Sequence, residues 1–167
     1  MSTEHLHKAE AIEKLQSMVE KIGIAMLSTF EDSKRFPYSV PMSCQEVDTE
    51  GNLWFVFSVE SETYKHIMNT PKASLTFASV NEKEFLSINT NAQILSIPAR
   101  IDMYWNPTFE AWFDGKDDPN IRLLKLTPEE AHYWDSGKNK LVTFLKMATS
   151  AITGIKTDVG KEGDLNI

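Results

Sequence analysis

The stretch Ala111-Trp112-Phe113-Asp114-Gly115-Lys116-Asp117-Asp118-Pro119-Asn120, with Ile121 to Leu126 and Ala131-His132-Tyr133-Trp134-Asp135 after it, decides the reading of the fold. It opens as an amphipathic segment and passes through an acidic loop rich in turn formers. It then runs into two strand-sized stretches separated by Thr127-Pro128. Asp114, Asp117 and Asp118 read as a solvated turn around Gly115 and Pro119, because they lack the alternating oxygen-ligand pattern and terminal glutamate of a cation loop.

Working outward, the upstream sequence alternates between turn signals and short apolar runs. Leu6, Ala9, Ile12, Leu15, Met18 or Val19, and Ile22 recur at helical spacing, so residues 1–22 hold an N-terminal helix capped by Ser2 or Thr3, with Gly23 near its end. The period then changes. Ile24 to Phe30 is a strand, and Pro37 to Val47 is a second, with Pro41 marking a bulge or an edge. Asp48 to Asn52 forms a hairpin turn, and the continuous run Leu53-Trp54-Phe55-Val56-Phe57 is a buried strand. Ser61 caps a short helix that Pro71 ends, and Ala73 to Val80 is a strand. Phe85 to Ile101 reads as one long or bent strand, or a strand pair, with Pro98 at an edge. Pro107 to Phe113 looks helical. Residues 139–152 form a terminal amphipathic segment, and the tail 157–167 is polar and frayed. Consecutive antiparallel strands with helices at the ends predict an α+β fold with a closed or half-closed barrel, in one domain over residues 1–167.

Composition narrows the partners. The 167 residues carry 17 basic and 24 acidic side chains, a net charge of −7, which argues against nucleic acid or an anionic membrane surface. The lone Cys44 excludes an intramolecular disulfide and suits a reducing compartment. The polar N-terminus has no signal-peptide core and no run reaches membrane-spanning length, so the expected location is cytoplasmic. His5 and His7 sit on the polar terminus, and neither His66 nor His132 has a partner at metal-ligand spacing, so no metal site is expected. There is no glycine-rich phosphate loop and no nucleophile motif, and Cys44 reads as a small buried side chain. The four tryptophans and nine phenylalanines are many for one small domain, and aromatics beyond core need suit a planar ligand or a subunit interface.

The Trp112 to Asn120 loop and the Tyr133-Trp134-Asp135 end, with Val40-Pro41-Met42, Trp54-Phe55 and Ser61 before Lys65, resemble the general stress protein 26 family. Those proteins are split barrels similar to pyridoxamine 5'-phosphate oxidase. The resemblance covers essentially the whole chain. It implies a mostly antiparallel split β-barrel with flanking helices, a homodimer, and FMN at the dimer interface. Carried over residue by residue, it sets Val40, Pro41, Met42 and Ser43 along the flavin. Ser58 and Ser61 offer hydroxyls, and Lys65 a cation, to the phosphate, and Trp134 borders the ring. This chain also departs from the pattern. Val40 stands where many members carry an arginine, and Thr63 where many carry a lysine. The Arg-x-His pair that follows the C-terminal tryptophan in true pyridoxamine phosphate oxidases is missing after Trp134. The resemblance therefore implies an FMN-dependent redox protein that is not that oxidase. The alternatives are a flavin- or haem-binding module for storage or sensing, and a flavin-free relative.

Overall fold

Nine strands, three helices and one 3-10 turn make up the structure, a computed structural model that describes residues 2–3, 8–135 and 161–165. In chain order they are β1 (Ser2–Thr3), α1 (Lys8–Ile22), β2 (Ile24–Thr29), β3 (Tyr38–Ser43), β4 (Glu46–Val47), β5 (Leu53–Ser58), α2 (Glu62–Asn69), β6 (Lys72–Ser79), β7 (Glu84–Leu95), α3 (Pro98–Tyr104), the 3-10 turn Pro107–Ala111, β8 (Ile121–Asp135) and β9 (Lys161–Asp164). The hydrogen-bonded order is β1-β9-β8-β7-β6-β2-β3, and β5 joins on β8 with β4 beyond it. Every pairing is antiparallel except β1 with β9. Only Cys44 and Gln45 separate β3 from β4. The ladder therefore leaves β3, passes through β2, β6, β7, β8 and β5, and returns at β4 to the chain it left. The sheet curls into a barrel that is split between β3 and β5. This is the expected α+β split barrel.

Apolar spacing fills it. On β2, Ala25, Leu27 and Thr29 point inward and are buried, while Ile24 and Met26 point outward and are exposed. Leu75 and Phe77 on β6, and Leu86 and Ile88 on β7, repeat this period of two. Helix α1 lays Ala11, Leu15, Met18 and Val19 into the same core. Gly23 closes the helix, its N–H donating to Val19 O at 2.7 Å. It lies at φ +78, and a Cβ there meets nothing within 4 Å, so backbone conformation alone calls for glycine.

Strand β5 and the start of β8 do not alternate, because both their faces are covered. Leu53, Phe55 and Phe57, with Leu124 and Leu126, face the barrel core. Trp54, Ile121 and Leu123 face outward into a second cluster with Ile101, Tyr104 and Phe113. Arg100 of α3 lies 3.9 Å over the Trp54 ring and donates to Glu46 at 3.2 Å, which ties α3 to the β4–β5 hairpin.

Several expectations need correction. Ser2 and Thr3 pair with Lys161 and Glu162 as a strand, so they do not cap α1, which starts at Lys8. Pro37 to Val47 is two strands; Pro41 does lie at an edge as expected, within β3, which among the described residues pairs on one side only, with β2. Strand β7 stops at Leu95, and Pro98 opens α3, where its fixed φ and missing N–H suit the first turn. Pro107–Ala111 is a 3-10 turn opened by the Asn106 side chain, which accepts from the Thr108 N–H at 3.0 Å. Thr127-Pro128 does not divide two strands. Strand β8 runs through it, and the register with β7 shifts between Asn89 and Thr90, a bulge that absorbs the proline. Part of the tail expected to fray forms β9 against His132–Asp135. The segment 139–152 lies outside the described residues.

The Asp48–Asn52 hairpin turns as expected, with Gly51 at φ +87. The Asp48 carboxylate accepts from the backbone N–H of Glu50 and Asn52, the Asn52 amide, and Trp54 Nε1 at 2.9 Å. Burial pushes its pKa up. The hydrogen bonds from Trp54 and Asn52 outweigh that and hold it below the usual carboxylate value. A carboxylate held low in the fold stabilises it above the ordinary pKa, and that contribution fades as pH falls through the folded value. Asp48→Ala is expected to lower stability to urea at pH 7 by about 1–3 kcal/mol, since it orphans the Trp54 N–H. The gap between the two proteins should narrow as pH drops below the usual carboxylate range. An equal gap at pH 7 and pH 3 would contradict this account of the turn.

Candidate functional site

The split in the barrel opens a cleft of about 500 Å³, a size that suits a small-molecule site. One wall is the edge strand β3, with Tyr38, Val40, Pro41, Met42 and Ser43, continued by Gln45. The opposite wall is the end of β5, with Val56, Phe57 and Ser58. Ser61 and Thr63 close one end from the start of α2, and Asn106, Thr108, Phe109, Trp112 and Phe113 cover the outside. These last residues are held there because Phe113 is buried in the outer cluster, while Phe109 packs against it. Trp105, Phe109 and Phe113 form a chain of ring contacts with centroids 5.8 and 6.4 Å apart. Trp112 is 72 % exposed, a large aromatic side chain left in solvent at the mouth of the cleft. The loop after it is braced by Asp118, whose carboxylate accepts from the N–H groups of Asp114 and Asn120, both at 2.8 Å. Those bonds hold the Asp118 carboxyl below its usual range.

Tyr38 is placed by a buried histidine. His66 Nδ1 lies 3.0 Å from the Thr29 hydroxyl, and Nε2 lies 3.4 Å from Glu31. The rings of His66 and Tyr38 lie nearly perpendicular, with centroids 5.5 Å apart. His66 thus reads as a packed core histidine that joins α2 to the β2–β3 connection.

Of the residues that the resemblance proposed, Val40, Pro41, Met42, Ser43, Ser58 and Ser61 come together in this cleft. The two serines are also structural. Ser61 caps α2, accepting from the Tyr64 N–H at 3.1 Å and donating its own proton to Ser58 O at 2.7 Å. Ser58 Oγ accepts from the Glu60 N–H at 3.1 Å. Lys65 is not part of the lining. Its ammonium donates to Glu62 at 2.6 Å on the exposed side of α2. Trp134 sits near the end of β8, opposite Phe85 and Glu162, with its ring 4.5 Å from that of His132. The cleft lies at the other end of β8, where Ile121–Leu123 pair with Val56–Ser58.

Sequence reasoning missed Tyr38 and the aromatic wall, and named Thr63 only as a departure from the family pattern. One signal was available for the wall. Trp105, Phe109, Trp112 and Phe113 recur three or four residues apart, which stacks aromatics on one side of a helical stretch. Cys44 does not line this cleft, and burial pushes its thiol up to about 12, so it is not a ready nucleophile.

Relatives share this architecture. The chain is similar to General stress protein 26 of Bacillus subtilis, 28% identical over 89 residues. That match covers 52% of this chain and 64% of the relative, less than two thirds of its length. A solved structure described as general stress protein 26 from Jannaschia sp. CCS1 has the same fold, with a TM-score of 0.76 at 22% identity. It covers 95% of this chain and 99% of that one. The general stress FMN/FAD binding protein from Xanthomonas citri superposes with a TM-score of 0.65 at 28% identity, covering 90% of this chain and 99% of that one. The family model described as Pyridoxamine 5'-phosphate oxidase like matches residues 10–158, and the chain belongs to that family.

Proposed function

We propose that this chain is a flavin-binding protein of the general stress type, and that the cleft between β3, β5 and residues 106–113 holds the ring of an FMN. The observation that carries this reading is the lining itself. Met42, Val56 and Phe57 offer apolar surface, Phe109, Trp112 and Phe113 offer aromatic surface, and Asn106, Thr108 and Gln45 offer polar groups at the margin. Such a slot fits the isoalloxazine. A bound flavin supplies electron and hydride transfer, and the protein supplies position and exclusion of water. The relative from Xanthomonas citri, described as an FMN/FAD binding protein, supports the choice of ligand.

Redox catalysis with an as yet unnamed substrate is the first role we assign. Flavin storage or sensing is favoured by one specific observation. Tyr38 is the only titratable side chain among the described residues that line the cleft, so the wall offers few groups to move a substrate proton. The cytoplasmic location expected from Cys44 belongs to the same proposal. Among the described residues, no helix is long and apolar enough to cross a membrane.

We also infer a homodimer. Ile24 and Met26 are exposed on the outer face of β2, directly opposite Ser43 and Pro41 of the cleft wall. A second copy seated there would cover this patch and close the cleft. Trp134, which the resemblance sets beside the ring, would reach it from that second copy.

Two measurements check these readings. Trp112→Ala should weaken FMN binding about threefold to tenfold, the worth of one aromatic contact. Its stability to urea should stay within about 0.5 kcal/mol, because the side chain is exposed. Unchanged affinity would remove the aromatic wall from the site. Sedimentation at micromolar concentration should give the mass of two chains, and a monomer with flavin bound would contradict the dimer.

A further inference from the structure

Among the described residues, the cleft has walls for a ring and no charge for a phosphate. None of its described lining residues is Lys, Arg, His, Asp or Glu. A flavin phosphate carries a charge of about −1.5 to −2 at neutral pH and needs donors, normally with a cation among them.

Among the described residues, the cations on the elements around the cleft each have a partner in the protein. Lys65 is paired with Glu62, and Lys34 with Glu31 at 3.0 Å. Lys116 is paired with Asp102 at 3.2 Å. Arg122 donates to the carbonyls of Pro119 and Ile121, and Arg35 lies over the Phe36 ring. One hydroxyl of the lining is already committed. Ser61 has one proton and gives it to Ser58 O, so toward a phosphate its oxygen is only a lone pair. Glu62 and Lys65 offset one another at the first turn of α2, so the pair adds no net positive charge there. The chain as a whole is acidic, with a net charge of −7. Each of these features leaves a neutral ring unaffected and disfavours a dianion.

We propose that this site recognises a flavin by its ring and ribityl chain and not by its phosphate, so that it takes the uncharged, dephosphorylated flavin, riboflavin, about as well as FMN. The inference rests on the flavin reading above and deepens it, since it names the ligand class as neutral isoalloxazines.

The test uses the full chain freed of ligand. Riboflavin and FMN are each titrated in by quenching of flavin fluorescence, at low and at high ionic strength. The two dissociation constants should agree within tenfold, and the FMN constant should change less than threefold with salt, because no ion pair is being screened. FMN binding more than tenfold tighter than riboflavin, or weakening steeply with salt, would overturn the proposal while leaving the flavin site intact. Failure of both flavins to bind would overturn the flavin site itself, and this inference with it.

Discussion

The pairing of β5 with the first half of β8 is the constraint on which the rest depends. Leu53–Ser58 run against Ile121–Leu126, and both faces of this ribbon are buried. Its inner face, through Leu53, Phe55, Phe57, Leu124 and Leu126, makes the barrel core. Its outer face, through Trp54, Ile121 and Leu123, recruits α3 and Phe113. Burying each such side chain contributes about 1.5–3 kcal/mol, so the ribbon supplies much of the drive to fold. It also does the positioning. Because Phe113 is anchored on the outer face, Phe109 and Trp112 are carried to the mouth of the cleft.

The cleft exists because the barrel is not closed by hydrogen bonds. Strand β3 pairs with β2 on one side, and on the other it faces β5 across a gap. An unpaired strand edge attracts other chains, and Pro41 blunts this one by removing an N–H. The exposed Ile24 and Met26 beside it make the same edge a candidate for covering by a second copy. The proposed ligand site and the proposed subunit contact thus meet at one place. The neutral lining adds a selective element. It suits the proposed flat, polarisable ring without demanding that a charge be buried with it.

Much of the fold was legible because its inner strands follow a period of two and its turns use the expected residues. Ala25, Leu27, Leu75 and Ile88 alternate with exposed neighbours, and Gly23, Gly51 and Ser61 sit where their backbone or side-chain chemistry puts them. Two of the misreadings came from prolines. Pro98 is compatible with a strand edge or a helix start, and local sequence does not choose between them. Pro128 looks like a break until the β7 register shows a bulge around it. Ser2 and Thr3 looked like a cap because their partner, β9, is more than 150 residues away and no local pattern announces it. At the site, the strand residues Val40 to Ser43 and the serines were found through resemblance, not periodicity. The aromatic wall was not found, since Phe109 and Trp112 lie in and just after a single short 3-10 turn. Only tertiary packing of Phe113 brings them to the cleft.

The central claim is that the seam between β3 and β5, roofed by residues 106–113, is where the ligand sits. Hydrogen exchange followed by mass spectrometry, with and without saturating FMN, tests it most directly. The account predicts slower exchange in peptides covering 38–45, 56–63 and 106–113, with little change elsewhere apart from a subunit contact around Ile24 and Met26. Slowing confined to another groove, such as the one lined by Lys72, Ser74, Asn89 and Glu130, with none at the seam, would contradict it.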